Sequence, residues 1–205
     1  MMTDFLIDGT EEKATFLFAH GAGAGMDSPF MNFFAAGLAA RGFRVVRFEF
    51  PYMAARRVDG KKRPPDRAPK LMEALRAAIS QAPSTRKLII GGKSMGGRIA
   101  SMLAAEEAGL CDGLLCLGYP FHPPGKPEKL RTDHLADIAA PTLIIQGERD
   151  PFGGRALGDG LDLPKNFQLH WAPDGNHDLS PRKASGHTAE SNWNAAMDAI
   201  AAHFS

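Results

Sequence analysis

Short apolar runs and helical stripes alternate along this chain. Ala14 to Ala19 is apolar and ends in His20-Gly21-Ala22-Gly23-Ala24-Gly25, which predicts a strand entering a glycine-rich loop. Asp27-Ser28-Pro29 then offers an N-cap and an N1 proline. Phe30, Phe33, Phe34 and Leu38 follow as the apolar stripe of a helix closed by Gly42. Arg44 to Phe50 is a second strand, and Pro51 to Pro69 reads as a polar, proline-containing connection. Leu71, Leu75, Ile79 and Ala82 mark a helix stopped by Pro83, and Leu88 to Ile90 is a β-favouring run. Ile99, Leu103 and Ala104 stripe a helix expected to end at Gly109. Gly113 to Leu117, Thr142 to Gln146 and Phe167 to Trp171 are three further strands, and Trp193, Met197, Ile200 and Phe204 stripe a last helix.

Buried-looking strands alternating with helices argue for an α/β fold: a three-layer α/β/α sandwich around a mainly parallel, doubly wound sheet. In that layout ligands gather at the carboxyl ends of the strands. With 205 residues, 44% hydrophobic and 23% charged, the expectation is a single domain spanning 1–205. A net charge of +1 gives no global attraction to nucleic acid or an anionic membrane. No apolar run reaches membrane-spanning length, and Met1-Met2-Thr3-Asp4 lacks the basic and apolar parts of a leader, so a cytoplasmic location is expected. Cys111 and Cys116 fit reduced, packed thiols, and neither a metal nor a cofactor is implied.

The chemistry centres on Gly92-Lys93-Ser94-Met95-Gly96, a G-x-S-x-G sequence between the Leu88 to Ile90 strand and a helix. Small residues two before and two after a serine let a strand turn directly into a helix, lifting the hydroxyl clear of the sheet above the first helical N–H groups. Rival glycine motifs fail on spacing. A phosphate-binding loop would need glycine at 87, where Lys87 stands, and Gly21 to Gly25 lacks the last glycine of a dinucleotide fingerprint.

A nucleophilic serine needs a base and an orienting acid from loops after later strands. Asp150 follows the fifth predicted strand and His177 the sixth. Glu148 and Asp174 are rivals for the acid, whereas His134, His187 and His203 have no partner pattern. One oxyanion donor is expected from the Met95 N–H and a second from the loop after the first strand, with Ala22 or Gly21 supplying it.

Taken together, the His20-Gly21 loop, Gly92-x-Ser94-x-Gly96, Asp150 and His177 resemble the α/β-hydrolase superfamily over essentially the whole chain. More narrowly, His20 to Gly25, Gly91 to Arg98 and Gly118-Tyr119-Pro120-Phe121-His122-Pro123-Pro124-Gly125-Lys126-Pro127 look like a small, lidless branch. That branch is similar to dienelactone hydrolases and includes eukaryotic hydrolase-like members, some tied to chromatin regulators. The resemblance implies a serine-hydrolase fold with Ser94, Asp150 and His177 in the triad positions.

Two features bear on the ligand. The short Gly118 to His134 loop predicts an open site, with Tyr119, Phe121 and His122 lining one wall. The run Arg56 to Arg67 holds six basic residues against two acidic ones. With Arg182 and Lys183 it makes Arg56 and Arg57 candidates for holding an anionic substrate. The expected activity is cofactor-free cleavage of a small-molecule carboxylic ester or thioester through an acyl-Ser94 intermediate. The competing expectation is an inactive hydrolase-fold protein that docks a partner through its basic run.

Overall fold

A computed structural model describes residues 4–83 and 85–205; Met1, Met2 and Thr3, read above for the absence of a leader, lie outside the described residues. Its elements run β1 (Leu6–Asp8), β2 (Thr15–Ala19), α1 (Pro29–Ala39), β3 (Arg44–Phe48), α2 (Pro51–Asp59), α3 (Ala68–Gln81), β4 (Leu88–Lys93) and α4 (Met95–Glu106). They continue through β5 (Gly113–Leu117), β6 (Thr142–Gly147), α5 (Arg155–Gly158), β7 (Phe167–Ala172) and α6 (Ala189–Phe204). The sheet order is β1-β3-β2-β4-β5-β6-β7, with β1 antiparallel to β3 and every other pairing parallel.

Alternation along the strands builds the layers. Phe16 and Phe18 of β2, Ile89 of β4, Leu115 of β5 and Ile145 of β6 face a core completed by Met31, Phe34 and Leu38 of α1 and Met197, Ile200 and Phe204 of α6. Their neighbours Leu17, Ala19, Ile90, Cys116 and Ile144 face the opposite core, against Leu71 and Leu75 of α3 and Ile99 and Leu103 of α4. Period 2 in a strand sends successive side chains to opposite faces, so a strand buried on both faces is apolar throughout. The three-layer, mainly parallel sheet is thus the one expected.

Register positions the site. Ala19 lies beside Gly92, Gly92 beside Cys116, Leu117 beside Ile145 and Gly147 beside Ala172, so five strands deliver their carboxyl ends to one edge. No helix among the described residues is long and apolar enough to cross a membrane.

Several boundaries differ from the sequence reading. β3 stops at Phe48, and residues 51–59 of the expected connection form α2, with Pro51 in its first turn and Gly60 closing it in the left-handed conformation at φ 72°. Only Tyr52 and Met53 of α2 are buried, too few to produce a readable stripe. The β1 strand is three residues long with Leu6 and Ile7 exposed, below the length at which alternation carries information. It is held partly through the Asp8 carboxylate, which pairs with the buried Arg47 at 2.8 Å. α3 begins at Ala68 and α4 ends at Glu106, three residues before Gly109.

Candidate active site

The elbow is built by close backbone approach. Ser94 sits at φ 52° and ψ −113°, a conformation that costs a non-glycine residue roughly 1–3 kcal/mol and persists only where the surroundings impose it. The imposing contacts are on both sides. A Cβ on Gly92 would run into the Ala19 carbonyl oxygen, and one on Gly96 would lie 2.5 Å from that oxygen and 2.7 Å from the carbonyl of His20. The Ser94 N–H donates to the Leu117 carbonyl at 2.8 Å, tying the turn to β5. Gly92→Val should therefore abolish soluble expression, or leave a protein without the cooperative thermal transition of the parent. Normal yield and melting temperature would show that this turn has slack.

The Ser94 hydroxyl lies 2.8 Å from His177 Nε2, and His177 Nδ1 lies 2.8 Å from Asp150 Oδ2. An ionised carboxylate only accepts, so Nδ1 carries the proton and Nε2 accepts from the serine. Asp150 is buried and further oriented: its Oδ1 accepts from the Phe152 N–H at 2.8 Å and its Oδ2 from Gln146 Nε2 at 3.0 Å. The rival carboxylates are engaged elsewhere. Glu148 meets Arg155 at 2.7 Å and accepts from the Asp174 N–H. Asp174 is bound by Arg149 and Arg182, and hydrogen bonds from Arg182 hold its carboxyl down to about 2.

Lys93, the variable residue before Ser94, carries no periodic signal in the sequence. It is almost fully buried; its Nζ donates to the His177 carbonyl at 2.8 Å and meets Asp178 at 3.2 Å. The end of β4 is thereby tied to the histidine loop, with burial as the main cause of a lowered lysine pKa.

The His20 to Gly25 loop is anchored through its carbonyls. His20 Nε2 accepts from the Phe50 N–H at 3.1 Å, which leaves Nδ1–H to donate to the Gly21 carbonyl at 2.7 Å. Burial pushes this imidazole toward its neutral form. The Tyr52 hydroxyl is 2.9 Å from the Ala22 carbonyl, and Arg56 reaches the Gly23 carbonyl at 3.3 Å. In a trans peptide the N–H points opposite to the C=O, so holding the Gly21 and Ala22 carbonyls turns the Ala22 and Gly23 N–H groups away from these anchors. Met95, the other expected donor, is the first residue of α4 and directly follows the serine.

Beside Ser94 and His177 opens a cleft of about 620 Å³, lined on its apolar side by Ala22, Phe30, Met31, Phe152 and Trp193. Phe30 and Trp193 meet edge to face with ring centroids 5.4 Å apart, and Phe152 lies 4.5 Å from the His177 ring. Phe30 and Trp193 belong to the apolar stripes expected on α1 and α6, and periodicity alone does not distinguish a cleft wall from a core. The wall assigned to Tyr119, Phe121 and His122 is corrected: all three are buried, and none lines this cleft. The loop after β5 folds inward. The Tyr119 N–H donates to Gln146 Oε1 at 2.7 Å and its hydroxyl donates to the Arg131 carbonyl at 2.9 Å, while the His122 N–H reaches the Phe152 carbonyl at 3.3 Å.

Part of the basic run is already paired. Arg57 is committed to Glu49 at 2.5 Å and Asp27 at 2.9 Å, Arg63 pairs with Asp59, and Arg182 pairs with Asp174 at 2.5 Å. Arg56 remains near the lip of the cleft through its contact with Gly23.

Comparison with known proteins bears on the fold and the family. A family model described as an alpha/beta hydrolase domain matches residues 12–205. Among solved structures, a dienelactone hydrolase from Anabaena variabilis is similar at TM-score 0.74 and 23% identity, over 98% of this chain and 90% of that one. Est1E from Butyrivibrio proteoclasticus with bound ferulic acid is similar at TM-score 0.73 and 16% identity, over 98% and 95%. A serine hydrolase without a lid from Xanthomonas campestris is similar at TM-score 0.65 and 22% identity, over 96% and 87%. These are likenesses of fold. The family match spans nearly the whole chain, and on that ground the protein belongs to the alpha/beta hydrolase domain family.

Proposed function

We propose that this chain is a serine hydrolase that cleaves a carboxylic ester or thioester of a small molecule through an acyl-Ser94 intermediate. The observation that carries the reading is the unbroken Asp150–His177–Ser94 relay, with both links at 2.8 Å, at the mouth of an apolar cleft. As Ser94 Oγ attacks the carbonyl carbon, its proton passes to His177 Nε2, and Asp150 stabilises the imidazolium without taking a proton. The developing oxyanion would be met by the N–H groups of Met95 and Ala22, already oriented by α4 and by the anchored loop. His177 then protonates the leaving group, and a water attacks the acyl carbon through the same base.

The cleft favours a compact apolar or aromatic portion of the substrate against Phe30, Met31 and Trp193. An anionic preference resting on Arg56 and Arg57 together loses support, since the Arg57 charge is already met by two carboxylates. The partner-docking reading weakens for the same reason. A fluorophosphonate, which phosphonylates an activated serine, should label the protein at Ser94 and lose that label in the Ser94→Ala variant. Absence of labelling in the parent protein, or a label mapped to another serine, would refute the assignment.

A further inference from the structure

Lys93 stands where a charge is poorly tolerated. Only 10% of its side chain is exposed, and lysine is almost never buried to that degree without a partner. A methionine would fill similar space without the cost of taking an ammonium out of water. The reason for the charge lies in what it meets. The stem passes the loop after β2, where a Cβ on Gly21 would lie 3.6 Å from Lys93 Cγ. Nζ then reaches the histidine loop, donating to the His177 carbonyl at 2.8 Å, meeting Asp178 Oδ1 at 3.2 Å and standing 5.4 Å from the centre of the Phe30 ring.

The rest of the histidine loop is held without Lys93. Asn192 Nδ2 donates to the carbonyls of Pro173 at 2.9 Å and Leu179 at 2.8 Å, and Trp193 Nε1 donates to the Asp178 carbonyl at 2.8 Å. Asn176 Oδ1 accepts from the Asp178 and Ser180 N–H groups. These bonds bracket His177 and leave its carbonyl to Lys93, the one donor to it among the described residues. Consecutive residues of one turn therefore grip one histidine, Ser94 by its ring and Lys93 by its backbone. The ammonium is also close to the ring. Lys93 Nζ and His177 Nδ1 would each lie 3.3 Å from a Cβ on Gly118, so they are no farther apart than twice that distance.

We propose that Lys93 is a positioning residue for His177: its ammonium fixes the main chain that carries the imidazole, and its charge, offset by Asp178, sets the pH range in which that imidazole acts as a base. The inference rests on the serine-hydrolase reading above. Three charged groups face His177, namely Asp150 from the loop after β6, Asp178 from its own loop and Lys93 from β4. The helices α1 and α6 bring Phe30 and Trp193 to the cleft, and the loop after β2 brings small residues and the buried, neutral His20. Farther out, Asp174 and Glu148 are met by arginines. Burial works against the Lys93 charge, and the carboxylates of Asp178 and then Asp150 support it. An ammonium this near opposes protonation of the ring, whereas an ionised Asp178 favours it. Removing the ammonium alone therefore moves the acidic limb of activity to higher pH, and removing both charges cancels most of that change.

The test is the second-order rate constant for fluorophosphonate labelling of Ser94, measured across pH on the full chain, with a melting curve for each variant. Lys93→Met should lower the rate on the plateau above the acidic limb by roughly 10- to 100-fold, the scale on which a small misplacement of a catalytic group acts. Its acidic limb should move up by about one pH unit. Adding Asp178→Asn to Lys93→Met should bring the limb at least halfway back while the plateau stays low, since the carbonyl still lacks its donor. A residue that merely fills space would give no such return. If Lys93→Met does not melt cooperatively, Lys93→Gln, which keeps a polar end, serves the same comparison and should show the same upward shift. A parent labelled at Ser94 together with a variant whose plateau lies within about twofold of it, or whose acidic limb stays in place, would overturn this inference and leave the hydrolase reading standing. A parent that takes no label would overturn both.

Discussion

Ser94→Ala is expected to lower kcat for a small activated ester by roughly 10⁶-fold, the scale on which removing a triad nucleophile acts. The variant should retain the fold. Only Oγ is lost, while the contacts that force the elbow, from Ala19, His20 and Leu117, are backbone contacts that alanine leaves in place. A companion variant separates strain from chemistry. Ser94→Gly should be equally inactive but melt about 2–4 °C higher, because glycine tolerates the φ of 52° that serine is made to adopt. Initial rates, with a melting curve for each variant, decide the matter; ester turnover by Ser94→Ala within tenfold of the parent would remove Ser94 from the mechanism.

Asp150→Asn should cost about 10⁴-fold in kcat with little change in KM, because an amide that points its NH2 toward His177 Nδ1 favours the wrong imidazole tautomer. The buried carboxylate has no slack to rotate away, held as it is by Gln146 and the Phe152 N–H. Asp174→Asn and Glu148→Gln supply the contrast. The first removes ion pairs with Arg149 and Arg182 and the second one with Arg155, and each should change kcat by less than about tenfold. If Asp174→Asn or Glu148→Gln proved the more damaging change, the orienting acid would have to be reassigned while the serine and histidine kept their places.

These contrasts mark where the sequence could be read and where it could not. The runs Ala14 to Ala19 and Leu88 to Ile90 were legible because burial on both faces makes the strands that hold them largely apolar, and the elbow because its close contacts demand small residues at fixed offsets from Ser94. Both are local requirements. The chain order of Ser94, Asp150 and His177 was legible too, since each stands just beyond a strand whose carboxyl end can be identified.

What only the tertiary structure decided lies in contacts between residues far apart in sequence. Asp150, Glu148 and Asp174 are all carboxylates just beyond strands, and only the paths of the chain after β6 and β7 send one to His177 and the other two to arginines. Phe30 and Trp193 belong to stripes on α1 and α6; they become a cleft wall because those helices pack together at the catalytic edge. Tyr119, Phe121 and His122 turn inward because the backbone of their loop is held by Gln146 and Phe152, partners no periodicity can announce. Arg57 reads as free charge in the sequence and is bound charge in the fold, since Asp27 and Glu49 reach it from other elements. Period and turn chemistry act over a few residues and so are written locally, whereas the direction of a side chain in a loop is set by whatever the rest of the chain brings against it.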